Sequence, residues 1–339
     1  MGKSKTVTTS DWVDLEDPAK VFKGMVPGKI RLDEKRIGLP SANDVNVCFD
    51  GNDVRIPFKT TVEAPNRWIC KLQVAYKDPV TSVVSFTEGS GLLIGERFVL
   101  TAAHVLMDGV NDDKEKFIRA IDAAAVVVIP GLDGRSRDRS MPFGWVEGQA
   151  FRMHPAYRKS MQLTGSPPSP LDYAVIRLGK PIGAARFARL GQKKLGYWGA
   201  PEQRGATRIR TIEAKKLRNV KVNLAGYPGD KCIDEPKSSM ITGPQLNKCR
   251  PADRSSVPWY AFDRITDPGH DPTPFGLLQL DHDVAPGMSG GPVWLRWRTV
   301  RTLIGINHAC GLDKDGKATG SMATRLTPTV IRDITNWTA

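Results

Sequence analysis

The sequence predicts an all-β protein of two medium-sized units preceded by an extension, and three observations carry that prediction. Its apolar residues fall in many short runs, among them Ala124–Ile129, Ala174–Ile176 and Thr302–Ile306, which are of strand length. Its 25 prolines and 32 glycines punctuate those runs with turns and disfavour a helical bundle. Its 339 residues are long for one compact domain. No internal repeat is legible.

Read in order, the first 50 or so residues hold no apolar core of about 7–15 residues, so no secretory signal is expected, and no run reaches the length of a membrane span. Met1-Gly2 with Thr6 fits the short, common myristoylation pattern, whose ordinary reading is a polar start. Ser10–Lys35 is rich in charge and reads as a lead-in or pro-segment outside any barrel. A hairpin follows in Gly91–Ile94, a turn at Gly95-Glu96-Arg97, and Phe98–Leu100. Gly165-Ser-Pro-Pro-Ser-Pro170 is a stiff loop leading into the strand Asp172–Leu178. Gly191–Asn219 reads as a linker, Val220–Ala225 as a strand, and Asp230–Pro274 as a long loop. Phe275–Leu280 and Val293–Leu295 are further strands. Thr327 as N-cap, Pro328 at the first position and Val330–Trp337 predict a final helix.

The chemistry lies in Gly287-Met288-Ser289-Gly290-Gly291-Pro292, between two strand-like runs. A serine enclosed by glycines sits on a tight turn with its hydroxyl exposed, and the glycines let a carbonyl approach the main-chain N–H groups. Such a serine needs a base. Thr101-Ala-Ala-His104 supplies one, since the small alanines pack the backbone closely and leave the ring facing outward. The imidazole in turn needs a carboxylate to fix its tautomer, and Asp172 opens the strand Asp172-Tyr-Ala-Val-Ile-Arg-Leu178. Any one of the three is an ordinary residue; three fitting contexts in the order His, Asp, Ser point to nucleophilic catalysis.

With "TAAH", "DYAVIRL" and "PGMSGGPV" in that order, the chain resembles the trypsin/chymotrypsin-like serine endopeptidases. Gly226-Tyr-Pro-Gly-Asp230, Gly305-Ile-Asn-His308, Gly51-Asn-Asp-Val-Arg55 and Trp68-Ile-Cys-Lys-Leu72 are similar to the bacterial glutamyl-endopeptidase-like branch. The resemblance implies two antiparallel six-stranded β-barrels with a C-terminal helix and an N-terminal extension, the site lying between the barrels. Residues 1–55 would be the extension or pro-segment, 56–190 the first barrel with His104 and Asp172, 191–219 the linker, and 220–339 the second barrel with Ser289 and the helix. The N–H groups of Gly287 and Ser289 would hold the oxyanion. The substrate would be a protein or peptide, and no cofactor is needed.

The same resemblance offers two readings of the residue that precedes the cleaved bond (P1). His308 aligns with a pocket histidine that favours an acidic P1, although Val284 stands where those relatives carry a hydroxyl. Asp283, six residues before Ser289, is the rival and would favour Arg or Lys. Met288 occupies the position that in trypsin-like zymogens holds an aspartate for the freed N-terminus, so that switch is unavailable. Trimming near Gly51–Lys59 is the alternative the branch suggests, beside a plain packing role for residues 1–50.

A formal charge of +13 is concentrated in Arg204–Lys221 and in Trp294-Leu-Arg296-Trp297-Arg298 with Arg301. Tryptophans among basic residues can track a nucleic-acid strand, but an antiparallel hairpin with a solvated face is the expected reading, and no nucleic-acid partner is expected. A silent, basic scaffold is the alternative function, against which the intact triad argues. Five cysteines, Cys48, Cys70, Cys232, Cys249 and Cys310, leave a disulfide set incomplete. A Cys232–Cys249 bridge and a fully reduced set both remain open, the latter fitting a cytoplasmic location and the family resemblance fitting a secreted one. No His/Cys spacing reads as a zinc site, and no metal is expected among His270, Asp271, His282 and Asp283. Oligomeric state leaves no mark on the sequence.

Overall fold

A computed structural model of the chain describes residues 11–22, 53–111, 116–135, 141–203, 206–231, 255–312 and 318–339. Six antiparallel strands close the first barrel: β1 (Ile69–Lys77), β2 (Val84–Leu93), β3 (Phe98–Thr101), β4 (Phe117–Pro130), β5 (Val146–Met153) and β6 (Ala174–Leu178). Their ring order is β1-β2-β3-β6-β5-β4, and β4 returns to pair with β1. Helix α1 (Pro155–Thr164) lies between β5 and β6. The second barrel holds β7 (Lys221–Gly226), β8 (Trp259–Asp267), β9 (Leu277–Leu280), β10 (Pro292–Trp297), β11 (Val300–Leu312) and β12 (Ala318–Arg325). It repeats the plan as β7-β8-β9-β12-β11-β10, closed by β7 on β10. Closure removes the open edges that a flat sheet of this size would expose.

The strands follow the local pattern of the chain. Along β1, Cys70, Leu72, Val74 and Tyr76 share one face and Ile69, Lys71 and Gln73 the other, as a period of two requires. Both faces are buried because one fills the barrel and the other turns to the second barrel, where the Lys71 ammonium, paired with Glu88, meets Ser255. In β7 the alternation is cleaner, with Val222 and Leu224 buried in the second core beside Ile265, Leu278, Val293 and Met288.

The final helix, α2 (Pro328–Thr338), begins where the sequence places it: the Thr327 hydroxyl accepts from the Val330 N–H at 3.3 Å. It buries Val330, Ile334 and Trp337, and it crosses over to the first barrel. There Trp337 stacks on Tyr173 with ring centroids 5.5 Å apart, and the Tyr173 hydroxyl donates to Asp333 at 2.7 Å. The basic, tryptophan-bearing stretch at 294–301 is the β10–β11 hairpin, with Arg296 opposite Arg301.

Five regions depart from the sequence reading. Helix α1 was not anticipated, although Pro155 at its start and Gly165 at φ 67° past its end are the usual punctuation. The loop expected over 230–274 contains β8, whose apolar run is interrupted in the sequence by Asp263 and Arg264 although its burial alternates. Residues 11–22 do not stand apart from the barrel: Val13–Asp14 pair with β5, and Phe22 buries against Phe86 with centroids 5.4 Å apart. The apolar residues among their charges make that contact. Ile56–Pro57 pair with β8, so this stretch sits on the second barrel and not at the start of the first. Thr207–Ile209 of the linker run parallel to β11. Cys70 is a buried free thiol and Cys310 is disulfide-bonded, which departs from a fully reduced set. The myristoylation pattern, Arg204, Cys48, Cys232 and Cys249 lie outside the described residues.

Candidate active site

His104 sits on a tight turn, Ala103–Val105, immediately past β3. Ala102 and Ala103 are fully buried, and Thr101 anchors the turn by donating to the Ser90 carbonyl at 2.8 Å. Asp172 follows the turn Ser169–Leu171 and is held from the second barrel, whose Thr324 hydroxyl donates to its carbonyl at 3.1 Å. The two side chains meet: His104 Nδ1 lies 2.7 Å from Asp172 Oδ2, and the His104 backbone N–H donates to Oδ1 at 3.0 Å. A carboxylate only accepts, so the ring proton sits on Nδ1 and Nε2 is left as the acceptor. Burial would depress the imidazole pKa, but the charge and hydrogen bond of Asp172 outweigh it and the net shift is upward. Burial pushes the Asp172 carboxyl up, while His104, through charge and hydrogen bond, and then His308 draw it below its ordinary value.

Across the cleft, Ser289 stands on a turn that only glycines can build. Gly287 has φ 91°, and a Cβ there would lie 2.4 Å from the Tyr227 carbonyl oxygen. At Gly290, φ 83°, a Cβ would meet the Ser90 carbonyl oxygen at 2.1 Å. The turn is tied down from several sides. Ser90 donates its hydroxyl to the Gly287 carbonyl and its N–H to the Ser289 carbonyl, each at 2.7 Å. Asn307 accepts from the Gly290 N–H at 2.7 Å and donates its amide to the Met288 carbonyl at 3.2 Å. Among the described residues, neither the Gly287 nor the Ser289 N–H donates to a protein group. His104 and Ser289 line one cleft with Tyr76, Glu88, Asp108 and Gly287.

Sequence reasoning missed Ser90 and the anchoring role of Asn307. The signal for Ser90 was faint, a serine between Gly89 and Gly91 in a strand, and Asn307 was legible only as part of Gly305-Ile-Asn-His308. Both act through partners remote in sequence.

The two P1 candidates are both engaged elsewhere. Asn307 pairs with Ala323 and Ala309 with Met322, so His308 is the extra residue of a bulge in β11. The bulge brings its Nδ1 to 3.6 Å from Asp172 Oδ2, the same oxygen that His104 meets. His308 is 6% exposed, and its Nε2 finds no hydrogen-bond partner among the described residues. Burial lowers its pKa, the charge of Asp172 opposing and that of His104 adding to the effect. Asp283 is buried, and its Oδ2 accepts from the Val54 N–H at 2.8 Å. Among the described residues no group of three or more His, Cys, Asp or Glu could hold a metal ion, and no helix is long and apolar enough to cross a membrane.

Comparison with known proteins gives a family and a fold. The model of the trypsin-like peptidase domain matches residues 89–306. Among solved structures, a Glu endopeptidase in complex with MPD superposes with a TM-score of 0.54 at 19% identity, covering 85% of this chain and 97% of the other. The protease Anisep from Arthrobacter nicotinovorans gives 0.50 at 15% identity, covering 84% and 99%. No curated protein sequence matches the chain.

Proposed function

Because the chain belongs to the trypsin-like peptidase family and is a serine protease, we propose that it is an endopeptidase acting through Ser289, His104 and Asp172. In this reading His104 Nε2 takes the Ser289 hydroxyl proton as Oγ attacks the scissile carbonyl carbon. The carbonyl oxygen gains the electron pair and is met by the N–H groups of Gly287 and Ser289. Collapse expels the amine, which receives the proton from His104, and leaves the acyl group on Ser289. Water, deprotonated by the same imidazole, then releases the acid and restores the serine. Asp172 keeps the proton on Nδ1 throughout and stabilises the imidazolium.

The observation that carries this reading is the 2.7 Å His104–Asp172 bond facing, across one cleft, a serine turn whose Gly287 and Ser289 N–H groups make no bond among the described residues. Its test is labelling with a fluorophosphonate. The wild type is expected to label and the Ser289→Ala variant to stay unlabelled; nucleic-acid binding without labelling of the wild type would instead support a silent scaffold.

For P1, the placement of Asp283 favours the acidic reading over the basic one. A trypsin-like pocket needs an open carboxylate for Arg or Lys, whereas this one is buried and takes a backbone N–H. His308, turned to Asp172, would serve an acidic P1 only by leaving that contact. Cleavage of a peptide library decides the matter: Glu or Asp at P1 supports the acidic reading, and Arg or Lys overturns it.

A further inference from the structure

We propose that Arg55 is the positioning residue of the oxyanion turn, so that the uncut chain carries its own substitute for a freed N-terminal ammonium. The inference rests on the endopeptidase reading above. Met288, before the nucleophile, cannot pair with an ammonium, yet the turn must be rigid for its N–H groups to meet the developing charge. Ser90 and Asn307 hold its carbonyls and the Gly290 N–H, and the stretch it packs on needs a hold as well.

Three consecutive residues from ahead of the first barrel supply that hold. Asp53, Val54 and Arg55 bond to Lys231, Asp283 and Asp230 on either side of the turn, and the Arg55 side chain is fully buried. Its guanidinium clamps Asp230 through Nη1 to Oδ1 at 3.0 Å and Nη2 to Oδ2 at 2.5 Å. It also donates to Asp53 at 2.9 Å through both Nε and Nη2, and Nη1 reaches the Met288 sulfur at 3.8 Å. Lys231 closes the cluster with Nζ 2.6 Å from Asp53. Burial pushes the Asp53 carboxyl up, but Arg55 and Lys231 bring it down to about 2.

The clamped segment is the cradle of the turn. Gly226 packs so closely on Met288 that a Cβ would come within 2.9 Å of its Cα. The Tyr227 carbonyl presses on Gly287, and the Gly229 N–H donates to the Pro286 carbonyl at 2.7 Å. Asp230 comes next in the chain, so holding Asp230 holds the cradle. At the other end, the Val54 N–H bonded to Asp283 fixes the approach to the nucleophile. Residues 53–55 therefore grip the stretch 283–288 from both ends, with a bidentate guanidinium that an ammonium could not imitate.

Two full-length variants test this. Arg55→Met removes the fork and keeps the bulk. Arg55→Met with Asp230→Asn removes one charge of each sign, so the buried pair is replaced and not merely broken. Both are expected to lower kcat on the order of 100-fold, the loss that follows removal of one oxyanion donor. KM should stay nearly unchanged, and the double variant should melt close to the wild type. Recovery of kcat together with melting temperature in the double variant would make Arg55 a stability element only and overturn the proposal. So would an Arg55→Met enzyme as fast as the wild type. A wild type that neither hydrolyses peptides nor takes up a fluorophosphonate sinks the endopeptidase reading and this inference with it. A labelled wild type with fully active variants sinks the inference alone.

Discussion

The two barrels share one strand order, yet they hold their parts of the site by different means. In the proposed triad the first supplies both the imidazole and the carboxylate, His104 just past β3 and Asp172 just before the neighbouring β6. Two hydrogen bonds between residues at adjacent strand ends lock them. The second barrel supplies Ser289 on a turn that its own strands fix only in part. Ser90 of the first barrel binds its carbonyls, and residues 53–55 grip it from both ends. The proposed acid–base half is drawn from one barrel and touched from the other at Thr324 and His308, while the proposed nucleophile half is assembled across the molecule. A perturbation far from Ser289 in sequence can therefore disable it.

The largest effect breaks the comparison altogether. Ser289→Ala or His104→Ala should each cost on the order of a million-fold in kcat, and the double variant should be little worse, because the groups act as one unit. Undiminished turnover by purified Ser289→Ala would refute the assignment.

Asp172→Asn probes the acid–base half alone. Turnover should fall by about 10⁴, since an amide does not hold the required tautomer, while folding persists. In the wild type, activity should rise with pH as His104 loses its proton, with a midpoint above the ordinary imidazole value because the net shift is upward. The contribution of this pair to stability runs the other way. The part from His104 is full below its unfolded pKa and fades as pH rises through the raised folded value; the part from Asp172, whose carboxyl is lowered, is present above its unfolded pKa and fades in acid. A pH–rate profile and a pH series of melting temperatures should thus slope oppositely across the imidazole range, and parallel slopes would count against the pairing.

Ser90→Ala sharpens the comparison from the other side. It leaves the Gly287 carbonyl and the Tyr227 N–H without their buried partner, at a cost of about 1–3 kcal/mol in stability. It should also slow fluorophosphonate acylation, although Ser90 belongs to the barrel that does not carry the nucleophile. Acylation at the wild-type rate would show that the turn holds itself.

The smallest effect is expected at Asp283. Asn keeps an oxygen for the Val54 N–H, so Asp283→Asn should leave the P1 profile as it was. Loss of cleavage after Arg or Lys in this variant would restore the basic reading.

Much of the fold was legible because its cues are short-range. Gly95 between two apolar runs gives the β2–β3 hairpin, and Thr327-Pro328 starts the last helix, each within a few residues. The same holds for His104, Asp172 and Ser289, whose contexts are local motifs. Strand β8 escaped because charges interrupt its apolar run, and helix α1 because its punctuation lay in a stretch with few apolar residues.

By itself, then, the sequence determined the strand content, the final helix, the order of the three candidate side chains and the glycine turn, for these rest on backbone sterics and on neighbours a few residues apart. Only the tertiary structure decided what surrounds them. A bulge in β11 turns His308 towards Asp172, and a segment more than 200 residues away puts Val54 on Asp283. Arg55 meets Asp230 across 175 positions, and Ser90 meets Gly287 across 197. Contacts at such separations leave no periodicity or spacing in the chain; they exist only once barrel closure has brought the ends of distant strands together.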